Sequence, residues 1–204
     1  MLYHHGHLLL LAKNAYDRCL DYPYEASVSI MLSVITLECY VNELQCRIDA
    51  FLIHESNDTL KDLSFHLNEY EKNRNSLISK LELILYCLKK EKFDRGSRHF
   101  QDIRMLINIR NALVHRKPES TSKLGSNAEE SYSLHPFTKF LVDRGLIEKP
   151  HEKILPVWSQ YLNSPKVAAW AYNTVVDSII STVSMLPEST TKKIEEFTTK
   201  HEKI

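Results

Sequence analysis

An all-α bundle of about five to six helices is what this sequence predicts, and three observations carry the prediction. Apolar residues recur every three or four positions through most of the 204 residues, the period of a helix that buries one stripe. Glycine and proline number only four and seven, so chain breaks are few. Runs of β-branched residues are scarce, while Leu, Ile, Glu and Lys are spread throughout, a composition that favours helix over strand. The length suits one core, which gives one helical domain over residues 1–187 and a polar tail over 188–204.

The elements follow in order. "HLLLLAKNAYDRCL" (7–20) predicts a first helix, closed before Tyr22-Pro23 because a residue preceding proline is pushed out of the α region. A long second helix over 24–53 carries the line Val34, Leu37, Val41, Leu44, Ile48, Phe51, with Ile35, Glu38 and Asn42 beside it. "SNDT" (56–59) supplies capping chemistry for a third helix to about Lys90, with a break placed near "NEYEKNRNS". The "DRGS" turn (94–97) offers Gly96 as a stop and Ser97 as the cap of a fourth helix reaching Arg116, just before Lys117-Pro118. Residues 117–134 are polar, Ser-rich and aperiodic, a loop. "PFTKFLVDRGLI" is a short helix, 148–156 is irregular, and Ser164-Pro165 opens a last helix with Val167, Trp170, Ala171, Thr174 and Ile179 inward.

Several function classes are set aside at this stage. Cys19, Cys39, Cys46 and Cys87 form no C-x-x-C pair and read as buried free thiols. His4, His5 and His7 read as an incidental cluster at a loose terminus, so no metal and no cofactor is expected. No apolar run approaches the roughly 18 residues of a membrane span, which predicts a cytoplasmic protein without a membrane partner. Lys+Arg and Asp+Glu balance at 26 each, yet residues 89–117 hold nine basic and three acidic side chains, leaving +6 there and −6 elsewhere. A balanced total excludes a large non-specific hold on nucleic acid, whereas a local basic run permits a directed one.

That run ends in "INIRNALVHRK". Phe100, Ile103, Ile107 and Val114 make an apolar stripe on which Arg110 also falls, and Ser97, Gln101, Arg104, Asn108, Asn111 and His115 make a polar line beside it. Asn111 and His115 are one turn apart, and Arg110 and His115, about 140° apart around the helix, flank Asn111. The histidine sits at the negative end of the helix dipole. An arginine is a donor fork for phosphate, the amide can orient, and an imidazole can move a proton near neutral pH. Those are parts a metal-free ribonuclease needs, although the same residues at a helix end also serve plain structural roles.

Arg110-Asn111-Ala112-Leu113-Val114-His115 resembles the R-x4-H signature of the HEPN superfamily (higher eukaryotes and prokaryotes nucleotide-binding), with the polar residue after arginine that its ribonucleases carry. "SVITLECYVNELQ" (33–45), with Glu38 and Asn42, resembles the long second helix of these proteins, and "SPKVAAWAYNTV" (164–175) resembles the terminal helix of some bacterial members. The resemblance spans about residues 8–185. It implies a helical two-fold dimer with one composite cleft. There RNA is cut by its own 2′-hydroxyl, leaving a 2′,3′-cyclic phosphate. In that scheme His115 is the general acid or base, Arg110 binds the phosphate, Asn111 positions, and Glu38 holds Arg110 from the neighbouring helix. Arg98, Arg104, Arg116 and Lys117 line the approach for the RNA backbone. The family further implies a toxin-antitoxin or phage-defence setting, with a nucleotidyltransferase antitoxin or another defence subunit as partner. Two alternatives stay open: a non-catalytic HEPN-like module that dimerises or binds nucleotide or a partner, and an unrelated helical interaction module.

Overall fold

The computed structural model describes residues 4–115, 134–150, 157–187 and 203–204. Among these residues the fold is all-helical: α1 (His5–Cys19), α2 (Glu25–Leu52), α3 (Asp58–Lys72), α4 (Leu77–Lys89), α5 (Arg98–Val114), α6 (Pro136–Asp143) and α7 (Pro165–Met185), with a 3-10 turn at Trp158–Leu162. The count exceeds five to six because the chain breaks between α3 and α4. Arg74 takes a left-handed φ of 53° there, and Ser76 opens a new helix by accepting the Ser79 N–H at 3.2 Å.

α2 is the axis of the bundle, packed by α1, α3, α4, α5 and α7. Its line of Val34, Leu37, Val41, Leu44, Ile48 and Phe51 is buried throughout, as its spacing predicts. Small residues let α1 approach closely. Ala12, Ala15, Ala26 and Ser29 are fully buried at that contact, and Ser29 Oγ donates to the Ala12 carbonyl at 2.9 Å. Ser33 and Thr36 return their hydroxyls to the carbonyls one turn back, so these two buried hydroxyls of α2 are satisfied within the helix. By length and composition alone α2 is long and apolar enough to cross a membrane, as the core helix of a soluble protein also is, and half of its most apolar window is buried inside the bundle.

Capping follows the sequence closely. Asn57 accepts from Leu60 N–H at 3.0 Å and Ser97 from Phe100 N–H at 3.2 Å. Pro165 occupies the first turn of α7 after an extended Ser164, and Val167, Ala171, Thr174 and Ile179 are buried with Trp170 partly so.

Two local expectations need correction. Gly96 does not stop a helix: α4 ends at Lys90, which itself adopts the left-handed conformation (φ 58°), and the Gly96 N–H is instead held by Asp94 Oδ1 at 2.9 Å. On α5 the buried line is Phe100, Ile103, Leu106 and Ile109, while Ile107 is half-buried and Val114 is 50% exposed. Two adjacent lines compete at this helix, and desolvating Arg110 costs more than exposing Val114, so the helix turns its charge-free line inward.

Candidate functional site

The C-terminal half of α5 packs against α2, which brings Arg110 to Glu38 across 72 residues of sequence. Arg110 Nη2 donates to Glu38 Oε2, and its Nη1 donates to Asn111 Oδ1 at 3.1 Å. The arginine side chain is only 20% exposed against 46% for the carboxylate, so the pair is set into the surface. Arg110 Nε is buried and meets no acceptor among the described residues. The guanidinium is therefore oriented on two sides and still holds donors in reserve.

Asn111 spends its carbonyl on Arg110, which leaves its Nδ2 donors toward solvent on an exposed side chain. His115 follows one turn on. It is the C-cap of α5, its N–H bonded to Asn111 O at 2.9 Å and its side chain exposed. The helix thus ends two residues earlier than Arg116, and the imidazole stands at the terminus, beside the last free carbonyls.

The remaining sequence-derived residues separate by place. Arg104 is exposed on the same polar line, about 9 Å along the helix from Arg110. Arg98 is about 18 Å away in the first turn and leans toward Asp102 at 3.8 Å. Arg144 makes the closer ion pair to that carboxylate, at 2.8 Å. Arg116 and Lys117 lie outside the described residues, as do most of the 117–134 loop and of the C-terminal tail.

One residue escaped the sequence reading. Lys80 of α4, its side chain 9% exposed, ion-pairs with Glu71 and donates to Asn42 Oδ1 at 3.1 Å. Its signal was present: Leu77, Lys80, Leu81 and Ile84 follow the buried period of α4, and a lysine on such a line has to find partners. Glu38 and Asn42 are one turn apart on α2, so one polar line receives a cation from α5 and another from α4.

The N-terminal histidines also need correction, because His5 is anchored. It is 1% exposed, its Nδ1 lies 2.5 Å from Glu43 Oε2, and its ring stands edge-on to Tyr40 at 5.4 Å. Glu43 further accepts from the His4 N–H and from Cys39 Sγ at 3.3 Å. Burial raises the Cys39 thiol to about 11, aided by Glu43, which makes it a poor nucleophile. Burial pulls against ionisation of Glu43, yet the bonds from His4, His5 and Cys39 outweigh it and hold the carboxyl below its ordinary value. For His5 burial dominates and lowers its pKa, despite Glu43. The geometry agrees, since His5 Nε2 is buried without a partner among the described residues and a second proton there would be stranded. Among the described residues no three His, Cys, Asp or Glu side chains converge as a metal set. The thiols are all free, but Cys46 is exposed rather than buried, because it falls on the solvent side of α2.

This arrangement sets a pH response. His5 and His99 both have folded-state values below their ordinary 6.5, burial being the leading cause in each. The unfolded chain then takes up protons more readily, so their contribution to stability is complete above about 6.5 and is lost as pH falls through and below that value. The melting temperature should therefore drop between neutral pH and about 5, and His5→Gln should flatten the slope. A melting temperature that rises over the same interval would contradict the neutral, buried assignment.

Comparison with known proteins gives no match to this chain among protein-family models, curated proteins or solved structures.

Proposed function

We propose that this chain is a metal-independent endoribonuclease of HEPN type, acting as a two-fold dimer in the cytoplasm. One observation carries the reading: a guanidinium oriented by Glu38 and Asn111, with an exposed imidazole one turn beyond Asn111 at the end of the same helix. Arg110 and the Asn111 amide would hold the scissile phosphate and stabilise charge that builds on it. One copy of His115 would take the proton of the 2′-hydroxyl as its oxygen attacks phosphorus. The second copy would give a proton to the departing 5′-oxygen, so a 2′,3′-cyclic phosphate and a 5′-hydroxyl result.

The requirement for two imidazoles is met if two α5 ends face each other. Val114 at 50% exposure, one turn from Arg110, and Ile35 at 36%, one turn from Glu38 on α2, place apolar surface beside the ion pair. Such surface favours a second copy as its cover. A neutralising partner of the antitoxin or defence type is suggested by the family resemblance alone. A non-catalytic dimerising module is favoured by a different observation, that the Arg110–Glu38 pair joins α5 to α2 and so has a structural use without chemistry.

Purified protein incubated with RNA in EDTA decides between them. Cleavage with 2′,3′-cyclic phosphate ends, DNA left intact and a dimeric species in sedimentation at micromolar concentration are the expected results. Intact RNA at a protein concentration that is folded and dimeric would leave the non-catalytic module as the better account.

A further inference from the structure

A groove of about 840 Å³ runs between α3, α4 and the turn that leads into α5, on a different part of the surface from the Arg110 site. Its walls carry three aromatic rings, Tyr70, Tyr86 and Phe93. Tyr86 is 53% exposed, a large ring held half in water, with Lys90 Nζ 5.8 Å from its centroid. Phe93 is fixed from behind by Phe100 of α5, at a ring separation of 5.0 Å. Arg95 crosses from the turn to Glu82 of α4 at 3.0 Å, so the opposing walls are joined.

The charges at this groove are unequally engaged. Glu82 is occupied by Arg95, and Asp94 Oδ1 accepts from the Gly96 N–H. Lys92 lines the groove and Lys90 stands over Tyr86 at its lip; both are exposed and pair with no carboxylate among the described residues, and Glu91 is the acidic side chain between them. Aromatic faces beside uncompensated lysines are what a single strand of nucleic acid requires, since every base offers a π-face and every linkage a negative charge. A basic peptide would set its own cations against Lys90 and Lys92, which no carboxylate engages among the described residues.

We propose that this groove binds the bases of a single-stranded nucleic acid, stacking them on Tyr86 and Tyr70 while the lysines hold the backbone; the identification of that strand as RNA rests on the ribonuclease reading above. Glu82 and Asp94 can only accept hydrogen bonds, which suits a base with an exocyclic amine such as cytosine.

The test uses a fluorescent oligodeoxycytidylate, which stacks like RNA but lacks the 2′-hydroxyl that cleavage needs, so wild-type protein can be titrated without being confounded by cutting. Binding that weakens about 5- to 100-fold in Tyr86→Ala, the range found on removing one stacking ring, is expected, with Tyr86→Phe within about two-fold of wild type because the ring and not the hydroxyl is used. Lys92→Ala should weaken binding and reduce its salt dependence. Equal affinity of wild type and a folded Tyr86→Ala variant overturns the proposal, and so does capture of oligolysine in preference to the oligonucleotide. If wild type fails to cut RNA but Tyr86→Ala still loses oligonucleotide binding, the groove stands and the ribonuclease reading falls.

Discussion

His115→Ala should reduce RNA cleavage by about 10²- to 10⁴-fold, the usual contribution of a positioned acid-base group. The loss should be deeper than a single deletion in an asymmetric site would give, because the substitution removes both copies of the imidazole from a two-fold cleft. Stability should hardly change. His115 is exposed, its side chain has no recorded partner among the described residues, and its structural contribution is a backbone N–H that alanine retains. A melting temperature close to wild type combined with lost cleavage is the signature of chemistry. Equal cleavage by both proteins would identify a contaminant as the source.

Arg110→Lys should lose activity nearly as far as Arg110→Ala, by about 10²- to 10³-fold if the guanidinium stabilises charge in the transition state. Lysine restores the positive charge but not the fork that reaches Glu38 and Asn111 together. The two substitutions should differ in RNA affinity, which the ammonium partly preserves. Glu38→Gln separates positioning from structure: it keeps the shape of the side chain and removes the carboxylate that orients the guanidinium. It should lower kcat at little cost in affinity or melting temperature, since a pair this exposed contributes about 0–1 kcal/mol to folding. Unfolding of the Arg110 and Glu38 variants alike would make the pair a structural tie instead.

Much of the fold was legible because the sequence states its periods without ambiguity. In α2 the apolar residues Val34, Leu37, Val41, Leu44, Ile48 and Phe51 keep a three-four spacing along the helix, and all six are buried. Asn57 and Ser97 announce helix starts because capping is local chemistry, decided within four residues, and Pro165 announces another because its fixed φ suits a first helical turn although Ser164 makes no side-chain cap. What spacing could not decide was a choice between adjacent lines, as on α5, where the outcome depends on which neighbour takes the load. Nor could it pair charges over distance. The Arg110–Glu38 contact was reachable only through a family resemblance, and the contacts of His5 with Glu43 and Lys80 with Asn42 were not seen at all. Each joins residues 38 positions apart, and at such separation the sequence shows the charges but not the geometry that introduces them.

α2 acts as a ruler for two cations. Glu38 receives Arg110 and Asn42 receives Lys80, and a helix advances 1.5 Å and about 100° with every residue. The offset between the two contact points is therefore fixed in whole residue steps by one rigid rod, whatever the loops joining α3, α4 and α5 do. Loop lengths can drift in such a chain without detuning the pair, whereas one residue inserted between Glu38 and Asn42 would swing one anchor about 100° around the rod relative to the other, so that both cations could no longer be met together. Tolerance to insertion should accordingly be lowest not at the charged residues themselves but in the three-residue interval Cys39–Val41 between them.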